Sequence, residues 1–249
     1  MLRRRTAAAA AITALALGIT MFASPAAAGA APTRIYRVRV INLTDGQPLT
    51  PPIIATAKGS WNLFRVGDLA SVGVQQVAEN GNGAPLLGGL EQSPFVFESL
   101  ESDQGPLVPP GTPMFGTFSD RVSLQIEATA RTRFLSVISM LICTNDGFTG
   151  VSRLPMPNGI GHEITISTNG YDAGTEVNTE DYADLVPPCQ ALIGHDAGEG
   201  DAGTGTTNPA LAENGVIHHH QGIQGTDDLE PSIHGWQDPV ARITVRRVA

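Results

Sequence analysis

Several short segments of this chain alternate strictly between apolar and polar residues, while a sustained helical period is hard to find. That contrast constrains the fold most. In Ile35-Tyr36-Arg37-Val38-Arg39-Val40, one face carries Ile35, Arg37 and Arg39 and the other carries Tyr36, Val38 and Val40. Val122–Glu127, His162–Ser167 and Ala241–Arg246 alternate in the same way. A period of two places one set of side chains in a core and the other in water, as in a half-buried strand. Phe134 to Ile142 is apolar nearly throughout, as expected of a strand buried on both faces. The 28 glycines and 18 prolines are spread along the chain and punctuate these segments. Pro51-Pro52, Pro106, Pro109-Pro110 and Pro113 mark loops. The best helix candidate is short, Gly67 to Glu79, with Leu69, Val72, Val74 and Val77 in a rough 3.6 period. Gly194 to Asn214 lacks periodicity and reads as a long mobile loop. The pattern predicts an all-β fold, an antiparallel β-sandwich with long loops at one end, whose first and last strands could pair.

The start of the chain has a different character. Arg3, Arg4 and Arg5 precede an apolar stretch from Ala7 to Phe22, and Ala26-Ala27-Ala28 closes it. A basic start, a short apolar middle and an Ala-x-Ala end are the parts of a secretory signal. The stretch is shorter than the roughly 20 residues that span a bilayer. The expectation is a signal peptide over 1–28, a secreted, extracellular β domain over 29–249, and no transmembrane segment after cleavage. Removing 1–28 takes three of the 15 basic residues and none of the 24 acidic ones, which leaves a net charge of −12. Such a surface repels nucleic-acid phosphates and suits cations. In an oxidising compartment Cys143 and Cys189 are expected to pair, the alternative being two buried free thiols. A disulfide closing that loop contributes roughly 4 kcal/mol in the chain-entropy account.

Two clusters could carry chemistry. The acidic one begins at Thr144-Asn145-Asp146-Gly147, after the buried strand, and continues in Tyr171-Asp172-Ala173-Gly174-Thr175-Glu176, Asn178, Glu180 and Asp181. Loops at one end of a sandwich converge, so distant carboxylates can share a cation, and calcium takes 6–8 oxygens. The same residues are also ordinary turn chemistry. The second cluster is His218-His219-His220, with His195, Glu199 and His234 nearby in sequence. On a strand, His218 and His220 share a face and could chelate a transition metal. Gly-x-Ser-x-Gly, phosphate-cradling and His-Glu-x-x-His motifs are absent. Glu176 and Glu180 could form a glycosidase-like pair, although nothing in their spacing selects them.

Thr144–Val151, Tyr171–Glu176, and Trp236 with Asp238–Val245 together resemble the spondin N-terminal domain, in the form found in exported bacterial proteins. Leu63-Phe64, Gly67, Ala70-Ser71 and Glu79-Asn80-Gly81 agree with that pattern. The resemblance implies an antiparallel β-sandwich with a calcium ion on acidic side chains, and carried over by position these are Glu127, Asp146 and Asp172. Where animal members have Asp-Trp, this chain has Asp146-Gly147-Phe148, which argues against receptor binding of the animal type. The expected function is a secreted calcium-binding module for binding or adhesion, without catalysis, with Ca2+ as its ion. Its expected partner is an anionic polysaccharide or lipid at a cell surface, and not nucleic acid. The alternative is an exported metal-dependent hydrolase using His218 and His220.

Overall fold

The alternation that opens the ordered chain produces β1, Arg34–Asn42. Tyr36, Val38 and Val40 are buried, while Arg37 and Arg39 face water. The computed structural model describes residues 32–194 and 203–249. The expected signal segment, His195 and Glu199 lie outside the described residues. β1 pairs antiparallel with β4 (Arg121–Ala128) on one side and β10 (Ala241–Arg247) on the other. β7 (Glu163–Thr168) adds to β10, so the first sheet runs β4-β1-β10-β7. The two ends of the described chain are thus held by one ladder, from Tyr36↔Arg247 to Asn42↔Ala241.

The second sheet runs β3-β2-β5-β6-β8-β9 and is also antiparallel. Its members are β2 (Ile53–Ala57), β3 (Val96–Glu101), β5 (Phe134–Met140), β6 (Gly147–Pro155), β8 (Gly170–Asp172) and β9 (His218–His219). The sheets close on a core that includes Val38, Val40, Ile54, Leu135, Val137 and Val245. This confirms the expected all-β sandwich. The proline pair at 51–52 does not exclude a strand, because β2 begins at the residue after it.

β5 is buried on both faces because its two sets of side chains meet different partners. Leu135 and Val137 enter the core between the sheets. Ile138 packs outward beneath two short helices, and Met140 beside a disulfide-centred cluster. The helices are α1 (Val72–Asn80) and α2 (Ala84–Glu91). α1 starts five residues later than the expected Gly67, because Ser71 caps it, with Ser71 Oγ accepting from Val74 N at 3.3 Å. It ends at Gly81, in the left-handed region at φ 62°. α2 was not anticipated, because Gly88 and Gly89 interrupt its pattern. Trp61 and Trp236 are only half-buried, each packed against a core cluster.

Cys143 and Cys189 form a disulfide, joining the segment after β5 to α3 (Pro188–Ile193). The segment expected to be a mobile loop is partly fastened where it is described. Thr207 Oγ1 accepts from Gln76 Nε2 at 3.0 Å and from Asn80 Nδ2 at 3.1 Å, and donates to Glu79. Asn208 N donates to Glu176 Oε1 at 2.8 Å. Polar side chains supply these anchors, which a search for apolar periodicity does not detect. No helix among the described residues is long and apolar enough to cross a membrane.

Candidate functional site

The Thr144–Gly147 turn is built by its own side chains. Thr144 Oγ1 donates to Leu141 O at 2.6 Å and accepts from Gly147 N at 2.9 Å. A Cβ on Gly147 would lie 2.4 Å from Thr144 Oγ1, so only glycine fits. The next two side chains grip the loop after β8. Asn145 Oδ1 accepts from Thr179 N, and its Nδ2 donates to Thr179 Oγ1, both at 3.1 Å. Asp146 Oδ2 accepts from Thr175 N at 2.7 Å, Thr175 Oγ1 at 3.1 Å and Glu176 N at 3.1 Å.

The Tyr171–Glu176 motif supplies the other half. Gly147 pairs with Asp172 across the β6–β8 ladder, so backbone pairing brings the two aspartates together. The disulfide ties the segment just before the Thr144–Gly147 turn to α3. Asp172 Oδ1 accepts from Gly174 N and Oδ2 from Asn178 Nδ2, each at 2.7 Å. Gly174 lies at φ 69°, and a Cβ there would sit 2.7 Å from Val216 N. Tyr171 packs against Phe148 and Phe64, with ring centroids 5.5 and 5.4 Å apart.

Asp146 is fully buried and its Oδ1 has no hydrogen-bond partner. Burial, then the charge of Asp172, pushes its carboxyl up to about 7, against the pull of the Thr175 and Glu176 donors. Burial likewise raises Glu176 to about 7; the Asn208 N–H opposes this, while Glu79, Asp146 and Asp184 add to it. Glu127 does not join the aspartates. Its backbone carbonyl accepts from Thr56 Oγ1 at 2.7 Å, and Thr56 pairs with Leu135 at one end of β5. The aspartates flank the opposite end, where Met140 pairs with Phe148. At about 3.3 Å per residue, the stretch of β5 from Leu135 to Met140 spans roughly 17 Å. Among the described residues no three His, Cys, Asp or Glu side chains come together to hold a metal ion. Two carboxylates whose oxygens mostly accept backbone and amide N–H groups do not by themselves form the cradle of 6–8 oxygens that calcium takes.

β9 places His218 opposite Asp172 in the ladder. As the alternation predicted, His218 and His220 share a side, and both line a cleft of about 350 Å³ with Asp172, Asn178, Glu180 and Gln224. Their nitrogens do not form a chelating pair. His218 Nδ1 lies 3.0 Å from Val216 O and 3.6 Å from Asp172 Oδ1, so Nδ1 carries a proton and, in the neutral ring, Nε2 keeps the lone pair. His220 Nδ1 accepts from Gly222 N at 3.0 Å, so its Nε2 carries the proton. Burial is the main cause that lowers the His220 pKa. His234 is elsewhere, fully buried and bonded to Tyr182 Oη at 2.8 Å.

Glu180 sits at the cleft in a left-handed conformation, φ 59°, that non-glycine residues rarely adopt. Its carboxylate compensates by accepting from Gln224 N at 2.6 Å, Thr226 N at 2.7 Å and Thr226 Oγ1 at 3.0 Å. Burial works to raise its pKa, but these donors outweigh it and hold the carboxyl low. Glu176 does not line this cleft, so the two glutamates are not a pair flanking one substrate position.

Residues 48–184 match the model of the Spondin_N family. The chain belongs to that family. The match takes in the Asp146 turn and the Tyr171–Glu176 loop, two of the three motifs on which the resemblance rested; Trp236 with Asp238–Val245 lies beyond it. No curated protein matches the chain. A spondin N-terminal domain is an extracellular module, and the disulfide agrees with that location.

Proposed function

We propose that this spondin domain is a secreted binding or adhesion module that works without catalysis. The observation that carries the reading is the family match over the interlocked turn and loop, whose side chains are engaged in holding each other. Three further features support it. Asp146 and Glu176 are buried against backbone donors, the histidines present opposite tautomers, and Glu180 is held as a fixed anion.

Calcium enters this reading as a candidate stabiliser at Asp146 and Asp172. The unpartnered Asp146 Oδ1 beside a second carboxylate favours a cation, and the distant Glu127 counts against one. The proposal for the partner is a component of the extracellular surface. The test applies fluorescently labelled protein to intact cells and extracellular matrix, with and without chelator. Saturable retention competed by unlabelled protein supports the reading, and its absence overturns it. Loss of retention on chelation assigns calcium a role in binding.

A further inference from the structure

The cleft beside β9 has a hydrogen-bonding inventory that selects a ligand chemistry. Asn178 uses Nδ2 on Asp172, which leaves its Oδ1 to accept. Gln224 uses Nε2 on Gln221 O at 2.9 Å and Gly222 O at 3.1 Å, which leaves its Oε1. His218 offers Nε2 as an acceptor, and the Asp172 and Glu180 carboxylates add two more. Glu213, the Gln221 amide and the Thr226 hydroxyl also line the cleft, and its unpartnered ring donor is the His220 Nε2–H. That atom is buried and has no partner. The ring is fixed by the bond from Gly222 N to Nδ1 and by Trp236, 5.0 Å away between centroids. A buried N–H without an acceptor is costly, so the position calls for one.

Few chemistries satisfy both sides. No lysine or arginine lines the cleft, so a phosphate, sulfate or carboxylate would face Asp172, Glu180 and Glu213 with no cationic side chain to balance them. An ammonium group would suit the acceptors but bring a donor to His220. A transition-metal ion needs lone pairs, and His220 presents a proton. A hydroxyl group donates and accepts at once. Several hydroxyls on one small scaffold can serve the acceptors and still accept from His220. The volume, about 350 Å³, is within the roughly 300–1,000 Å³ of small-molecule sites.

We propose that this cleft binds a neutral, polyhydroxylated ligand, a sugar unit of an extracellular glycan, with the His220 Nε2–H as its donor and Asp172, Asn178 and Glu180 among its acceptors. The proposal rests on the reading of the domain as an extracellular binding module, and names the ligand class of that module.

The experiment probes the full-length protein against an array of neutral and anionic oligosaccharides, then titrates the best neutral hit by calorimetry. His220→Phe keeps a ring against Trp236 and deletes the donor, while Asn178→Ala opens the acceptor wall independently of that ring. Both variants are expected to lose at least tenfold in affinity while remaining folded, as read from a single cooperative unfolding transition. If His220→Phe fails to fold, Asn178→Ala decides alone. Absence of any neutral glycan hit, a hit unaffected by the variants that fold, or occupation by anionic glycans or lysine peptides instead would overturn the proposal. Retention on cells that persists in the variants without glycan binding sinks the cleft assignment but leaves the binding-module reading standing. Absence of both cell retention and glycan binding removes the two together.

Discussion

Replacing Asp146 by asparagine separates a proton from a cation at the buried carboxylate. The amide preserves the shape, and its oxygen can take the three bonds from Thr175 and Glu176 that Oδ2 now accepts. Its NH2 then lies where Oδ1 has no partner, on a carboxyl that feels the charge of Asp172. Burial and Asp172 raise the Asp146 carboxyl from 3.8 to about 7, so the folded state holds the proton more tightly than the unfolded chain. The stabilisation from that proton is complete below about pH 4 and is lost as pH rises through about 7. At about 1.4 kcal/mol per pH unit the full effect is about 4 kcal/mol, an upper bound that relaxation of the site reduces. If half survives, Asp146→Asn raises the melting temperature by about 4–8 °C at pH 8 in chelator. The gain should shrink to near zero at pH 4. The assay is thermal unfolding of wild type and variant at both pH values, with and without calcium. A variant less stable than wild type at pH 8 in chelator would refute the reasoning. A calcium-dependent rise in wild type that Asp146→Asn abolishes would show that calcium is the balancing charge.

Other perturbations follow from particular contacts. Gly147→Ala should cost about 1–3 kcal/mol in urea unfolding, because its Cβ would collide with Thr144 Oγ1. Serine at both Cys143 and Cys189 should cost about 2–5 kcal/mol, read from the shift in denaturant midpoint. Ser71→Ala removes the cap on Val74 N and should cost about 1 kcal/mol in the same assay.

The strands were readable where apolar and polar residues alternate strictly. β1, β4, β7 and β10 each alternate, and their registers follow from the buried set. The burial of β5 on both faces was readable from its unbroken apolar run. β2 was hidden behind the proline pair, and α2 by its glycines. At the site, the motifs located Asp146 and Asp172 but not their roles, since a turn-forming aspartate and a cation ligand look the same in sequence. Glu127 was placed by resemblance, and strand alternation could not reveal which end of the sandwich it occupies. The shared side of His218 and His220 was legible from alternation. Their opposite tautomers depend on Val216 O and Gly222 N, backbone partners that residue type does not specify. The burial of Glu79 was not legible, because it depends on Thr207, more than a hundred residues along the chain.

The central claim is that this domain binds its partner without transforming it. The most direct measurement is an equilibrium isotherm of the purified protein on its extracellular partner, followed by elution and mass analysis of that partner. The account predicts a saturable isotherm of fixed stoichiometry and a partner recovered with its mass unchanged. A partner recovered cleaved or modified, in amounts exceeding the protein, would contradict it.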